Sequence, residues 1–315
     1  MSISRQRRGR AWRYRFADGS EVTNADEIFR LDRVALPPAY TEGRFSPDPN
    51  GHIQAVGIDA RGRRQYRYHP EFRALQEDAK FERCGAFGGA LPKLRAKVEK
   101  DLKGHPLASD TVIAAIVRIL DIGFLRVGNE AYAKSNKSFG VTTLRTRHAD
   151  LTRTRLHLKY RAKSGLMRSV TLQDKAVARV VRRCQDLRGQ NLFQYQDELG
   201  QVRQVTSGDV NDYLRCATGS DFTAKDFRTW AGSVIAYSAW CDAQSSQIVP
   251  GIHAISGAVA EQLGNTPTVA RKSYIHPRVV EAIAQKLPCP ARKRRSTRRL
   301  SSDERGLLQF LESIG

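Results

Sequence analysis

The period of the sequence changes near residue 71, and that change restricts the fold more than any single motif does. Upstream, short segments alternate apolar and polar residues: WRYRF, the turn DGS, then GHIQAVGID, the turn ARGR, and RQYRYH. A period of two, punctuated by Gly, Asp and Asn, predicts a small sheet. Downstream the apolar residues recur at helical spacing. In ASDTVIAAIVRIL, Ile113, Ile116, Val117 and Leu120 share one face, with Ser109 and Asp110 as candidate caps. DKAVARVVRRCQ and the stretch from Thr223 to Trp240 keep the same period. One segment interrupts it: RLHLKYRAKSGLMRSVTL alternates Leu156, Leu158, Tyr160 and Ala162 with His157, Lys159, Arg161 and Lys163, then turns at Ser164-Gly165. That pattern is a hairpin. With 315 residues, 40% of them hydrophobic, the chain can bury two cores. The expected class is α+β: a strand-rich N-terminal domain over 1–76 and a larger, mainly helical domain over 77–315 that carries the β-hairpin.

Charge narrows the partner. The 53 Lys and Arg against 32 Asp and Glu leave a formal net charge of +21, a field that draws in polyanions and makes nucleic acid the leading partner. No apolar run approaches the roughly 20 residues of a spanning helix, so a membrane is not expected. The stretch MSISRQRRGRAWRYR lacks the apolar segment of a secretory signal. Cys84, Cys184, Cys216, Cys241 and Cys289 are odd in number and contain no CxxC pair, which predicts reduced thiols in a cytoplasmic protein and no zinc site. There is neither a GxxxxGK[ST] loop nor a paired-carboxylate cluster suited to magnesium, so no nucleotide and no metal cofactor is expected. The basic run ARKRRSTRR, 291–299, reads as a solvated tail able to add phosphate contacts.

Against this background one tyrosine stands out. In TVARKSYIHPRV, Tyr274 lies among Arg271, Lys272, His276 and Arg278, and cations near a phenol favour the phenolate, the nucleophilic form. Four more stations precede it. Arg126 stands in GFLRVGNEAY, Lys163 at the AKSG turn, Arg228 in KDFRTW and Asn265 in LGNTP. Taken singly, the arginines read as surface salt-bridge partners and Lys163 as an ordinary hairpin lysine. As a set they suit phosphodiester chemistry: two guanidiniums can bind the non-bridging oxygens that gather charge, and an ammonium can protonate a poor alkoxide leaving group. The neighbouring charges of Lys159 and Arg161 are expected to make the Lys163 proton easier to give up.

In order and spacing these motifs resemble the poxvirus-type type IB DNA topoisomerases, in the form carried by bacteria. The resemblance runs through PDPNGHIQAVGIDARGRRQYRYHP, RVGNEAY with SFGVTTLRTRH, AKSG, KDFRTW and LGNTPTVARKSYIHP. It implies that Tyr274 is the nucleophile, forming a 3′-phosphotyrosyl bond while a 5′-hydroxyl departs. It also implies that Arg126 and Arg228 hold the scissile phosphate and that Lys163 is the general acid. Poxvirus members carry histidine where this chain has Asn265, an amide that can donate but holds no charge. The resemblance further implies DNA contacts by Gln65, Tyr66, Arg67 and Tyr68 and by Tyr132, with Tyr66 and Tyr68 on one face of a strand. The two domains would form a clamp around double-stranded DNA, in a monomer associated with the nucleoid that relaxes supercoils of both signs without ATP or metal.

Two other readings compete. Tyrosine recombinases share this chemistry but show HxxR and LGH where this chain has KDFR and LGN, and they carry a helical core-binding domain in place of a strand-rich one. A non-catalytic DNA-binding protein would account for the charge but has no use for Tyr274 and Lys163 in this order. The topoisomerase reading is preferred.

Overall fold

A computed structural model describes residues 2–9, 11–246, 251–290 and 295–313. The chain divides into two compact units, Met1–Ala79 and Lys80–Gly315. The first contains β1 (Ile3–Arg8), β2 (Ala11–Arg15), α1 (Ala25–Arg33), β3 (Thr41–Phe45), β4 (Ile53–Ile58) and β5 (Arg64–Tyr68). They form an antiparallel sheet in the order β2-β1-β3-β4-β5. Its core is Ile3, Tyr14, Leu31, Leu36, Phe45 and Ala55. Tyr14 Oη donates to Asp32 Oδ1 at 2.7 Å and so ties α1 to the sheet. The alternating segments of the sequence correspond to β2, β4 and β5. The strands β1 and β3 and the helix α1 lie outside them.

The rest of the chain contains α2 (Pro70–Asp101), in which the division between units falls, then α3 (Ser109–Gly123), α4 (Glu130–Asn136), β6 (Ala149–Leu151), β7 (Arg155–Arg161), β8 (Met167–Gln173) and α5 (Lys175–Gln185). These are followed by β9 (Gln194–Gln196), β10 (Val202–Gln204), α6 (Ser207–Thr218), α7 (Asp226–Ser245), α8 (Ile252–Leu263), α9 (Pro267–Ser273), α10 (Pro277–Ala284) and α11 (Ser302–Ser313). The buried faces of α2, α3, α5 and α7 meet in one core. On α3 the apolar face is as the period predicts, but the N-cap is Ala108, without a side-chain cap bond. Ser109 and Asp110 are therefore first-turn residues, Asp110 favouring the positive end of the helix dipole. The strands β7 and β8 pair antiparallel from Arg155↔Gln173 to Arg161↔Met167. Their turn places Ser164 at φ +66° and Gly165 at φ +79°.

Two sequence expectations change. The structure joins Cys241, near the end of α7, to Cys289 by a disulfide, with Cα atoms 5.3 Å apart, while Cys84, Cys184 and Cys216 are free. A pairing across 48 residues leaves no local spacing signal in the sequence. The basic run is also less detached than expected. Residues 291–294 lie outside the described residues, but Arg298 and Arg299 pair with Glu99, and the following α11 sends Leu307, Phe310 and Leu311 into the core. Its Glu304 is buried and accepts from Arg95 and from Trp230 Nε1. Among the described residues no helix is long and apolar enough to cross a membrane.

Candidate functional site

Arg126 follows α3, where Phe124 ends the helix in the left-handed conformation. Its backbone is pinned by Val141 N donating to Arg126 O at 2.9 Å and Thr142 N to Val127 O at 2.7 Å. The close approach needs glycine at 140, since a Cβ there would lie 2.6 Å from Arg126 O and 2.5 Å from Gly128 Cα. Asn265 stands just beyond α8, whose cap Gly264 has φ +63°. Arg126 Nη2 donates to Asn265 Oδ1 at 2.5 Å. A guanidinium only donates, so this bond fixes the amide with its NH2 turned the other way. That Nδ2 is buried and has no partner.

Arg228, on α7, is 4% exposed. It donates through Nη1 to Phe124 O and through Nη2 to Leu263 O, the latter at 2.9 Å, and leaves buried Nε without a partner. Neither Arg126 nor Arg228 is paired with a carboxylate among the described residues, so both depart from the ordinary surface salt bridge. Burial and the charge of Arg126 bring Arg228 down to about 10, which still leaves it a cation at neutral pH. A buried, uncompensated cation is costly, and an anion would relieve the cost. The two arginines line a cavity of about 180 Å³ together with Lys163, Arg168, Tyr160 and Gly264.

Tyr274 caps α9, and its ring lies under Arg228, 4.8 Å from guanidinium carbon to ring centroid. Burial pushes its phenol up, but the charge and donor hydrogens of Arg228, with the charges of Arg126 and Lys163, bring it below its usual value of 10. The cations responsible are thus distant in sequence and not the flanking ones. Arg271 and Lys272 are exposed on α9, and Arg278 donates to Leu311 O at 2.9 Å. His276 is buried, pushed down to about 4 by desolvation and Arg278, and caps α10 by accepting from Arg278 N at 3.2 Å.

The backbone of Tyr274 is seated on α7 and α2. Ser233 Oγ accepts from His276 N at 3.0 Å and donates to Thr229 O at 2.9 Å, with Tyr274 O a further 3.3 Å neighbour, and Lys80 Nζ donates to Ser273 O at 3.0 Å. Gly232 lies directly against Tyr274. Sequence reading passed over Ser233, Gly232, Lys80 and Arg168. Small residues and a lone arginine in helices and strands carry no period or motif of their own.

Lys163 is exposed at the hairpin turn. Tyr66 and Tyr68 are 45% and 48% exposed, with ring centroids 6.2 Å apart, so they share one face and do not pack in the sheet core. Gln65 is held by Asp59, accepting from Gln65 Nε2 at 2.9 Å. Arg67 donates to Ala35 O at 2.9 Å, and Tyr132 on α4 is 51% exposed. The structure therefore joins Arg126 to Asn265 and Arg228 to Tyr274 by direct contacts, and brings Arg126, Arg228 and Lys163 to one cavity.

Residues 69–300 match the family model for the catalytic core of eukaryotic DNA topoisomerase I. The chain belongs to the type IB DNA topoisomerases. Residues 11–59 match the N-terminal domain of bacterial members of that family. A DNA topoisomerase 1B of Acanthamoeba polyphaga mimivirus is 31% identical over 284 residues, covering 87% of this chain and 84% of the viral one. The DNA topoisomerase 1B of Vaccinia virus (strain Copenhagen) is 22% identical over 239 residues, covering 73% and 72%. The strand-rich first unit and helical second unit of this topoisomerase agree with the α+β class expected from sequence.

Proposed function

We propose that the protein relaxes supercoiled double-stranded DNA by cutting one strand, holding it on Tyr274 and resealing it. One observation carries the reading: the phenol of Tyr274 is depressed by Arg228, Arg126 and Lys163, three cations that line one cavity, and two buried donors around it, Arg228 Nε and Asn265 Nδ2, lack acceptors. A phosphodiester supplies what that arrangement is missing. Its non-bridging oxygens would accept from Arg126, Arg228 and Asn265, whose amide is already oriented to donate. Tyr274 Oη, having released its proton to solvent, attacks phosphorus as the phenolate, the bond to the 5′-oxygen breaks, and Lys163 Nζ gives that oxygen a proton. The 3′-phosphotyrosyl link retains phosphodiester energy, so resealing is the same step reversed and draws on neither ATP nor metal. In the interval the free 5′ end lets torsion of either sign relax.

The remaining assignments belong to the same proposal. Exposed Tyr66, Tyr68 and Tyr132 would meet DNA, with Gln65 and Arg67 beside them, and the two units would clamp a duplex. The domain limits are proposed at residues 76 and 77, and the enzyme is proposed to act as a monomer on the nucleoid. The test is relaxation of positively and negatively supercoiled plasmid in EDTA without ATP, by the wild-type chain and by Tyr274→Phe. Relaxation by the former, with neither relaxation nor covalent adduct by the latter, is expected. A strict need for either additive, or an adduct formed by the phenylalanine variant, refutes the reading.

A further inference from the structure

Arg168 belongs to the cavity but to none of the roles assigned so far. It lies on β8, five residues after Lys163, and is the cross-strand partner of Tyr160, which is 3% exposed. Its two terminal nitrogens leave the hairpin altogether: Nη1 donates to Glu261 O at 3.3 Å and Nη2 to Gln262 O, at the C-terminal end of α8. The guanidinium also lies against the helix cap, with Nη1 3.3 Å from where a Cβ on Gly264 would stand. The end of a helix is where unpaired carbonyls and the negative end of its dipole favour a cation. Burial and the nearby Arg126 both work against this charge, yet no carboxylate compensates it among the described residues.

The consequence is mechanical. The residues just past those carbonyls are Leu263, whose carbonyl accepts from Arg228, and Asn265, which accepts from Arg126. On the hairpin side, Ala162 N donates to Leu166 O at 2.7 Å and Gly165 N to Ala162 O at 3.1 Å, closing a tight turn around Lys163. The β7 arm is fixed by Phe139 N donating to Arg161 O at 2.8 Å. The β8 arm is fixed by Arg168. We propose that Arg168 is a positioning residue for cleavage, locking the hairpin that carries Lys163 to the end of α8 and so setting the lysine's place relative to Arg126, Arg228 and Asn265. This rests on reading Lys163 as the acid.

The experiment uses the full chain and an oligonucleotide with a mapped cleavage site, made with oxygen or with sulfur at the bridging 5′ position. A thiol has a pKa of about 8.5, against about 15.7 for water, so sulfur departs without being handed a proton. Single-turnover cleavage is measured for wild type, Arg168→Ala, Lys163→Ala and the double variant. Displacing the lysine by about 1 Å is expected to slow Arg168→Ala about 10²-fold on ordinary DNA. The sulfur strand should be cut within a few-fold of the wild-type rate. The double variant should be no slower than Lys163→Ala alone, because a misplaced acid and a missing acid are the same loss. Equal slowing of Arg168→Ala on both strands, a wild-type rate on ordinary DNA, or losses that multiply in the double variant would each overturn the proposal. If Lys163→Ala is itself not rescued by sulfur, the acid assignment fails, and the double-variant comparison alone decides whether Arg168 acts through the lysine. Should Arg168→Ala fail to fold, Arg168→Gln, able to reach one carbonyl, serves in the same comparison.

Discussion

Gly232 is where packing and chemistry can be separated. A Cβ on this α7 residue would lie 2.6 Å from Tyr274 O and 2.8 Å from Tyr274 Cβ. Ordinary contact requires about 3.5 Å, so Gly232→Ala must push the backbone of Tyr274, the proposed nucleophile, away by roughly 0.9 Å. The segment cannot yield freely. Tyr274 N donates to Ala270 O at 3.0 Å, and Ser233, itself tied to Thr229 O, accepts from His276 N at 3.0 Å. A displacement of about 1 Å at a reacting group costs about 10² in rate, or roughly 2.7 kcal/mol of activation free energy. Stability should change far less. Alanine is better than glycine within a helix by up to about 1 kcal/mol, which offsets part of an overpacking cost of about 1–3 kcal/mol. The assay is single-turnover adduct formation at saturating DNA on a denaturing gel, with Tm and non-covalent DNA affinity measured alongside. Slow adduct formation by a folded, DNA-binding variant is expected. A wild-type rate would show that the seat of Tyr274 does not set its reactivity.

Three further outcomes follow from the packing around the site and the tail. Deleting residues 291–315 removes α11 with core residues Leu307, Phe310 and Leu311, a loss of well over about 5 kcal/mol against a typical total of about 5–15; the truncated chain should show no cooperative melting transition, and a normal Tm would refute the packing assigned to α11. Replacing Arg298 and Arg299 by glutamine should instead shift stability by no more than about 1 kcal/mol and reduce the salt slope of DNA binding by at most about 0.9 for each phosphate that is no longer neutralised. His276 lies below its ordinary value of 6.5, at about 4. The unfolded chain therefore binds the proton more readily in that interval, and stability is present above pH 6.5 and lost as pH falls towards 4. His276→Asn, which keeps a capping oxygen, should flatten the fall of Tm over that range, and an unchanged slope would place the acid sensitivity elsewhere.

Much of this architecture was legible because each signal is local. The alternation in WRYRF, GHIQAVGID and RQYRYH gave β2, β4 and β5, and the AKSG turn fell where Ser164 and Gly165 take positive φ. Arg126, Lys163, Arg228, Asn265 and Tyr274 each have an ordinary reading among 53 Lys and Arg and ten Tyr, and they stood out only through an order and spacing that resemble a known family's. The support beneath them did not stand out. Gly232 matters through what its absent side chain would strike, Ser233 through one oxygen shared by two backbone groups, and Arg168 through carbonyls 93 and 94 residues away. Tyr274 illustrates the limit most directly. Its neighbours in sequence suggested a depressed phenol, and the phenol is depressed, but by Arg228, Arg126 and Lys163. Arg278 instead donates to Leu311 O, and His276 is buried as the N-cap of α10.

Arg228 shows why such a site resists piecemeal substitution. Its Nη1 holds Phe124, two residues before Arg126; its Nη2 holds Leu263, two residues before Asn265; and its plane lies over the ring of Tyr274. One planar cation thus sets the spacing of three segments distant in sequence, and its third nitrogen has no partner. Lysine cannot repeat this, because a single ammonium on a flexible stem offers no fixed fork to span two carbonyls while facing a ring. Donors placed in advance need not reorganise when charge develops on a phosphate, which is where such sites gain most of their rate. Arg228→Lys should therefore behave nearly as badly as Arg228→Ala in single-turnover cleavage although it keeps the charge. A lysine variant close to the wild-type rate would mean that charge alone, and not the fork, is what the site requires.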